Sequence, residues 1–458
     1  MPLWVHHLLA TISFLLTLLF VSSILRARRA AGSTVAWLIA ICIIPYVGIP
    51  LYLIFSSRKF PSRLSRKSKI YKPSASNNAL DDLPLIRKIL RSSGVSDAKS
   101  NREMELLPTG VRAYDKLIEL IQGAQTSIHV TTFIFGNDVV GKAVVEALTK
   151  KASAGVDVRV LVDSLGAALI RHPSFAKLKR AGGKIAYFMP VFHLPFRGRA
   201  NLRNHRKLMV VDGKFALLGG MNLAQEYLGP TESLTRWVDL GLSVVGDCVT
   251  DLEDIFLQDW AYAIKDGRGS SLVSSSAPAG GKFLAQIVAS GPDVLGDPLY
   301  DVLLSAINDA KSSIQIVTPY FIPDESLTKA LELAVKRGVD IHVILPRRSN
   351  HYMADLARGS FIRELIAMGV EFDFFPRMIH AKAVLVDHTF AVLGSANFDM
   401  RSLLLNYELG IAIYSDEVSH SLAEWILKIR DETTQGIEKA GLWRELAEGV
   451  GRVLGPML

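Results

Sequence analysis

The chain has 458 residues, room for two or three domains, and a formal net charge of +8. Residues 1–72 hold ten Lys/Arg and no Asp/Glu, leaving 42 Lys/Arg against 44 Asp/Glu, so the body is near neutral, which argues against nucleic-acid tracking, a task that needs a basic groove. Two cysteines, Cys42 and Cys248, make no disulfide framework and no CxxC or Cys/His zinc pattern, which suits a reducing compartment.

In chain order, the first elements are two uncharged apolar runs, residues 8–25 and 33–55. Each is long enough to cross a hydrocarbon core of ~30 Å as a helix rising ~1.5 Å per residue. They predict an N-terminal two-helix membrane hairpin over residues 1–57. A cleaved signal peptide is the rival for the first run, but no Lys or Arg precedes it and a second apolar run follows at once. The second run is interrupted by Pro45, Gly48 and Pro50, and its rival reading is a re-entrant or interfacial segment. Arg26, Arg28 and Arg29 lie between the runs, and seven Lys/Arg follow from Arg58 to Lys72. The larger cluster predicts a cytoplasmic location for everything beyond it, and contact with anionic lipid.

A basic, polar linker is expected over 58–108. Beyond it the chain repeats itself. A helical pattern opened by Ala113-Tyr114-Asp115 leads into Ser127-Ile128-His129-Val130, and one opened by Leu299-Tyr300-Asp301 leads into Ser313-Ile314-Gln315-Ile316. Each copy continues through a second helix, ended at Gly155 or Gly338, into a further strand-like run. The expected fold class is α/β: two α/β/α halves, 109–265 and 285–458, related by a pseudo-twofold axis and joined by a Gly/Ser/Ala-rich linker over 266–284.

Each half then delivers one short pattern. The first is His205-x-Lys207-(x)4-Asp212 followed by Gly219-Gly220-x-Asn222, and the second is His380-x-Lys382-(x)4-Asp387 followed by Gly394-Ser395-x-Asn397. Residues 202–211 and 378–386 read as strands, so His205 and Lys207 share a face, as do His380 and Lys382. Asp212 and Asp387 fall at turns, where bracing the hairpin is the simpler role for members of a catalytic pattern. The glycines admit close approach of a ligand to the backbone, and Asn222 and Asn397 offer amide donors.

A lone histidine is most simply a satisfied structural residue, and His129, His193, His351 and His420 are read that way. Recurrence of the whole spacing removes that reading for His205 and His380. Two imidazoles, two ammonium groups and two amides about one centre suit a phosphodiester. The cations and amides hold the non-bridging oxygens, one neutral imidazole attacks phosphorus, and the other, protonated, serves the leaving alcohol. Such chemistry requires no metal and no cofactor.

With these residues the chain resembles the phospholipase D superfamily, whose pattern is His-x-Lys-(x)4-Asp-(x)6-Gly-Ser-x-Asn. The second copy matches throughout, and the first departs only at Gly220. It resembles more closely the bacterial cardiolipin synthases, through Trp37, Pro45-x-x-Gly48, Asn204-His205-Arg206-Lys207, Thr318-Pro319-Tyr320-Phe321-Ile322-Pro323 and Asn397-Phe398-Asp399-x-Arg401-Ser402 with Asn406-x-Glu408. The resemblance implies a multi-pass protein of the bacterial inner membrane that turns two phosphatidylglycerol molecules into cardiolipin and glycerol through a phosphohistidine. It also implies that Asp239 and Glu408 orient the histidines, with His205 as nucleophile and His380 as acid and base. Asp239 is the less regular match, standing 34 residues from His205 where Glu408 stands 28 from His380.

Arg197, Arg199 and Arg203, among Phe192, Leu194 and Phe196, are expected to grip anionic headgroups, the alternative being a solvated loop. Three rival functions remain: a hydrolytic phospholipase D or other phosphatidyltransferase, a membrane-tethered nuclease, and a non-catalytic anionic-lipid-binding protein. The neutral body argues against the nuclease, and intact His and Lys in both copies argue against the binder. Oligomeric state and acyl-chain preference are not legible.

Overall fold

The two apolar runs fold as three helices, not two: α1 (Leu3–Arg26), α2 (Ala31–Ile43) and α3 (Pro45–Phe55). The computed structural model describes residues 3–26, 31–55, 67, 69–71, 84–169, 172–189, 202–265, 280–437 and 440–454. It divides into two compact units, Met1–Phe60 with Pro190–Leu202, and Pro61–Met189 with Arg203–Leu458.

Within the first unit the second run breaks at Ile44, because Pro45 disfavours helical backbone in the residue before it. A Cβ on Gly48 would lie 2.4 Å from the Ala40 carbonyl oxygen, so α3 folds back tightly on α2 at a position only glycine allows. At ~1.5 Å per residue α2 and α3 reach only ~20 Å and ~17 Å. Neither alone reaches the ~30 Å of a full crossing. Ile24, Ile41 and Tyr52 are buried where the three helices meet, with Phe20 and Trp37 edge-on to Tyr52. Phe14, Leu15, Leu19, Ile43 and Tyr46 face outward. Helix α1 runs 24 residues. Among residues whose side chains are described, no helix is long and apolar enough to cross a membrane.

Among the described residues the second unit is built on seventeen strands. They are β1 (Lys99–Leu107), β2 (Ser127–Thr132), β3 (Asp157–Asp163), β4 (Lys184–Phe188), β5 (Leu208–Val211), β6 (Phe215–Gly219), β7 (Gly241–Gly246), β8 (Phe283–Ser290), β9 (Ser313–Val317), β10 (Phe321–Ile322), β11 (Asp340–Pro346), β12 (Glu371–Phe375), β13 (Ala383–Val386), β14 (Phe390–Gly394), β15 (Phe398–Asp399), β16 (Glu408–Ile413) and β17 (Thr434–Gln435). The helices are α4 (Leu85–Ser92), α5 (Gly110–Gly123), α6 (Val139–Ser153), α7 (Ser164–Leu169), α8 (Phe175–Arg180), α9 (Cys248–Ala263), α10 (Pro298–Asp309), α11 (Glu325–Lys336), α12 (Tyr352–Met368), α13 (Met400–Leu404), α14 (Asp416–Arg430) and α15 (Leu442–Leu454).

Among the described residues fifteen strands form one sheet, ordered β17-β12-β11-β9-β13-β14-β16-β8-β1-β7-β6-β5-β2-β3-β4. Outward from the middle, β1-β7-β6-β5-β2-β3-β4 matches β8-β16-β14-β13-β9-β11-β12 strand for strand. The halves meet at the antiparallel pair β1–β8, as a twofold relation between repeats requires. In each half three consecutive strands run parallel (β2, β3, β4 and β9, β11, β12), the strands inward of them are antiparallel, and β17 adds an antiparallel edge beside β12. Strands β5 and β13, Leu-Met-Val-Val and Ala-Val-Leu-Val, are buried along their whole length, as the continuous apolar runs of a sheet covered on both faces should be.

Two predicted boundaries are corrected. The expected linker 58–108 contains α4 and β1, and β1 lies at the centre of the sheet. The expected linker 266–284 ends inside β8, while its residues 266–279 lie outside the described residues.

Candidate active site

Both motifs sit just ahead of a strand rather than within one, since β5 begins at Leu208 and β13 at Ala383. What extends the backbone there is the other half. Tyr407 donates its N–H to Arg203 O, and His205 donates its own to Tyr407 O (2.9 Å each). Val238 donates to Met378 O and His380 to Val238 O, at 2.9 and 2.6 Å. Each histidine is thus stitched to the residue preceding a carboxylate of the opposite repeat.

The side chains cross in the same way. His205 Nδ1 lies 3.1 Å from Glu408 Oε1, and His380 Nδ1 lies 2.7 Å from Asp239 Oδ2. Gly241 pairs with Gly219 as Gly410 pairs with Gly394, so Asp239 and Glu408, each two residues earlier, are structural equivalents. A carboxylate on Nδ1 fixes the ring and its tautomer and leaves Nε2 for chemistry. The pairing within a half implied by the 34- and 28-residue spacings is not what forms.

Lys207 Nζ donates to His205 O at 2.8 Å, and Lys382 Nζ to His380 O and, at 3.1 Å, to His380 Nε2. Phe133 stands edge-on to His205 (5.3 Å between centroids), and Tyr227 and Trp237 flank His380 at 5.0 and 5.6 Å. In this buried setting desolvation dominates. It pushes Lys207 down to about 7 and Lys382 to about 8, partly opposed by Glu408 and Asp239 respectively. Burial, then the Lys382 ammonium, drives His380 to about 3 against the pull of Asp239. His205 is lowered by burial, opposed by Glu408 and assisted by Lys207 and Lys382. Asp239 is itself costly to bury, yet the charges of His380 and Lys382 hold its carboxyl below the usual range. Each lysine perturbs the histidine of the other half, so the two motifs form one electrostatic centre.

Within the repeated pattern the halves differ at one typed position, Gly220 against Ser395. Ser395 Oγ donates to Glu408 Oε2 at 2.5 Å, whereas a Cβ on Gly220 would come within 2.3 Å of Asp239 Oδ1. The departure of Gly220 from the repeated Ser is thereby explained: the carboxylate lies where a side chain would begin.

The remaining predicted residues divide. Asn222 Oδ1 accepts from Ile134 N–H (3.1 Å) and Asn397 Nδ2 donates to Ser402 Oγ (3.2 Å), so both amides brace loops beside the histidines. Asp212 and Asp387 are not at the centre. They lie at the far ends of β5 and β13, at φ 54° and 51°, and each accepts three backbone N–H groups: Gln125, Thr126 and Ser127 for the first, Lys311, Ser312 and Ser313 for the second. These contacts clamp the turns, the bracing role expected of them. Arg203, predicted to reach headgroups, is buried and turned onto Asp163 Oδ1 (3.4 Å) and Met189 O (3.1 Å). Arg197 and Arg199 lie outside the described residues.

One group escaped sequence reasoning. Arg206, between His205 and Lys207, points to the opposite side and is 1% exposed. It holds Asp259 through Nη1 at 2.7 and 2.9 Å, Asp293 through Nη2 at 3.2 Å, and the Glu408 carbonyl oxygen through Nε at 3.2 Å. Lys67 completes the cluster by bonding both Asp259 and Asp293. Two cations and two anions balance underneath the site and fix the backbone of Glu408. The available signal was period-two alternation, which sends the middle residue of His-x-Lys inward.

Comparison with known proteins follows the same lines. Residues 117–260 and 303–430 match a family model described as "Cardiolipin synthase, PLD-like domain", together more than half the chain, and residues 15–56 match "Phospholipase_D-nuclease N-terminal". The chain is 32% identical to a cardiolipin synthase of Clostridium perfringens over 456 residues, 94% of this chain and 95% of that one. It is 32% identical to the major cardiolipin synthase ClsA of Bacillus subtilis over 478 residues, 97% and 99% of the two. Among solved structures, phosphatidylserine synthase of Haemophilus influenzae shares the fold, with a TM-score of 0.63 at 16% identity, over 82% of this chain and all of that one.

Proposed function

The chain belongs to the cardiolipin synthase, phospholipase D-like family, and from that premise we propose that it joins two phosphatidylglycerol molecules into cardiolipin with release of glycerol. The observation that carries the reading is the exchange of carboxylates, His205 with Glu408 and His380 with Asp239, which makes either half useless without the other.

His205 Nε2 attacks phosphorus of the first lipid. A nitrogen–phosphorus bond forms, the bond to the glycerol oxygen breaks, and His380 gives that oxygen its proton. The second lipid's terminal hydroxyl then loses its proton to His380 and displaces His205 from phosphorus. One phosphoester replaces another, so no nucleotide is consumed. Two features support this assignment of roles: Lys382 Nζ crowds both ring nitrogens of His380, 2.7 Å from Nδ1 and 3.1 Å from Nε2, and the His205 side chain is 14% exposed against 6% for His380. Lys207 and Lys382 hold the non-bridging oxygens. Their crowding lowers both imidazoles in the empty site, and the charge of an arriving diester raises His380 toward the protonated form that the first step needs.

The N-terminal unit, α1 to α3, anchors the protein at the bacterial inner membrane. The outward apolar residues of these helices support that anchoring, and the basic cluster after residue 57 supports a cytoplasmic catalytic unit. The segment with Arg197 and Arg199 meets anionic headgroups. Purified protein in phosphatidylglycerol mixed micelles should produce cardiolipin and glycerol in equal amounts. Phosphatidic acid as the sole product would indicate hydrolysis, and no turnover a lipid-binding protein.

A further inference from the structure

Helix α15 is mounted inside out. An amphipathic helix on a globular protein ordinarily buries its apolar stripe and shows its charges to water. Here the polar side faces the protein. Glu448 is 2% exposed and pairs with Arg363 of α12 and with Arg444, Arg452 donates to Glu364 of α12 at 2.7 Å, and Gly451 lies against Ala357. The opposite side carries Leu442, Leu446 and Val450, spaced four apart on one face, with Trp443 beside them; they are 69%, 54%, 60% and 83% exposed. The ion pairs fix the helix in this orientation, so the apolar stripe has no route into the core.

We infer that this stripe is a membrane-docking surface of the catalytic unit, seated in the headgroup and upper acyl region of an anionic bilayer. The inference rests on the lipid-substrate reading, under which the site must meet a bilayer surface. Tryptophan at the stripe's edge is the residue that favours the boundary between headgroups and chains. The charges of the polar side are paired within the protein, Arg444 with Glu448 and Arg452 with Glu364, so the contact with the bilayer is made by the apolar stripe and Trp443.

The test uses the full chain carrying Cys42→Ala, reconstituted in vesicles of equal parts phosphatidylglycerol and phosphatidylcholine. An environment-sensitive dye is placed at Leu446→Cys, Val450→Cys or, as a control on α6, Glu146→Cys. Dyes at 446 and 450 should be quenched by doxyl-labelled acyl chains and shielded from iodide, with the reverse at 146. Iodide quenching at 446 and 450 would overturn the inference, and so would shielding from both quenchers, which would mean a protein partner. In addition, Leu446→Asp with Val450→Asp should keep the melting temperature and the mixed-micelle activity while losing about tenfold on vesicles; unchanged vesicle activity would contradict docking. A wild-type protein that makes no cardiolipin would refute the substrate reading, while the quenching result would still decide the surface.

Discussion

His205 Nδ1 and Glu408 Oε1 lie 3.1 Å apart although 203 residues separate them in the chain, and His380 with Asp239 repeats the contact in reverse. Each imidazole therefore takes its tautomer from the other repeat. Glu408→Gln and Asp239→Asn should each lower kcat by about 10²–10⁴ with KM little changed, because substrate contacts survive while the ring loses its orienting anion. Combining them should cost little more than either alone. Steady-state kinetics in mixed micelles would check this, and a change confined to KM would contradict it.

Gly220→Ser should push Asp239 away from His380, since the added Cβ would meet Asp239 Oδ1 at 2.3 Å. Ser395→Gly removes the hydroxyl that donates to Glu408 and accepts from Leu409 N–H but displaces no carboxylate, and should be milder, at about tenfold, the charged hydrogen bond being worth about 1.5 kcal/mol. The expected order of activity is wild type, then Ser395→Gly, then Gly220→Ser. Equal activity of wild type and Gly220→Ser would show that Asp239 has room to move.

Asp212→Ala should destabilise the fold by about 2 kcal/mol through loss of three backbone hydrogen bonds, while each folded molecule stays active. Burial works against the Asp212 carboxylate, but the N–H groups of Ser127, Thr126 and Gln125 hold its carboxyl below the usual range. Its contribution to stability is thus complete above the unfolded value of about 3.9 and lost as pH falls through the folded one. Urea titrations of wild type and variant should converge at low pH. A gap that persists there would contradict the clamp.

Lys67→Met should cost about 3–5 kcal/mol, because Asp259 and Asp293 would share one buried cation instead of two. Adding Asp293→Asn restores the balance and should recover part of the loss. Thermal unfolding in detergent would show this as a double variant melting above Lys67→Met.

Much of this was legible before the fold was known. The repeat announced two α/β halves because the order of helical and strand-like patterns recurs, and because β5 and β13 are continuous apolar runs. Strand β1 was illegible: Lys99-Ser-Asn-Arg-Glu-Met-Glu-Leu-Leu is polar, and only pairing with β7 and β8 on its two sides makes it a strand. Both histidines were evident from spacing, but their orienting partners were not, because nothing local shows that Asp239 belongs to His380. The inward Arg206 was recoverable from alternation. Its partners Asp259 and Asp293, and Lys67 in a stretch that reads as plain linker, were not.

Anion binding should be accompanied by proton uptake. Lys207 at about 7 and His380 at about 3 are held down by burial and by neighbouring cations, so an oxyanion seated between them raises both. Above pH 7 the empty site is partly deprotonated at Lys207, and tungstate binding measured calorimetrically in buffers of different ionisation heat should show protons taken up. Proton release, or none, would contradict the assigned charge states.

The most direct test of a single centre shared by both repeats is the activity of His205→Ala, His380→Ala and the double variant on phosphatidylglycerol. Each single change should lower cardiolipin formation by about 10³-fold or more, and the double should be no worse than the singles. Two independent sites would instead leave about half the activity in each single variant and abolish it only in the double, and that result would contradict the account.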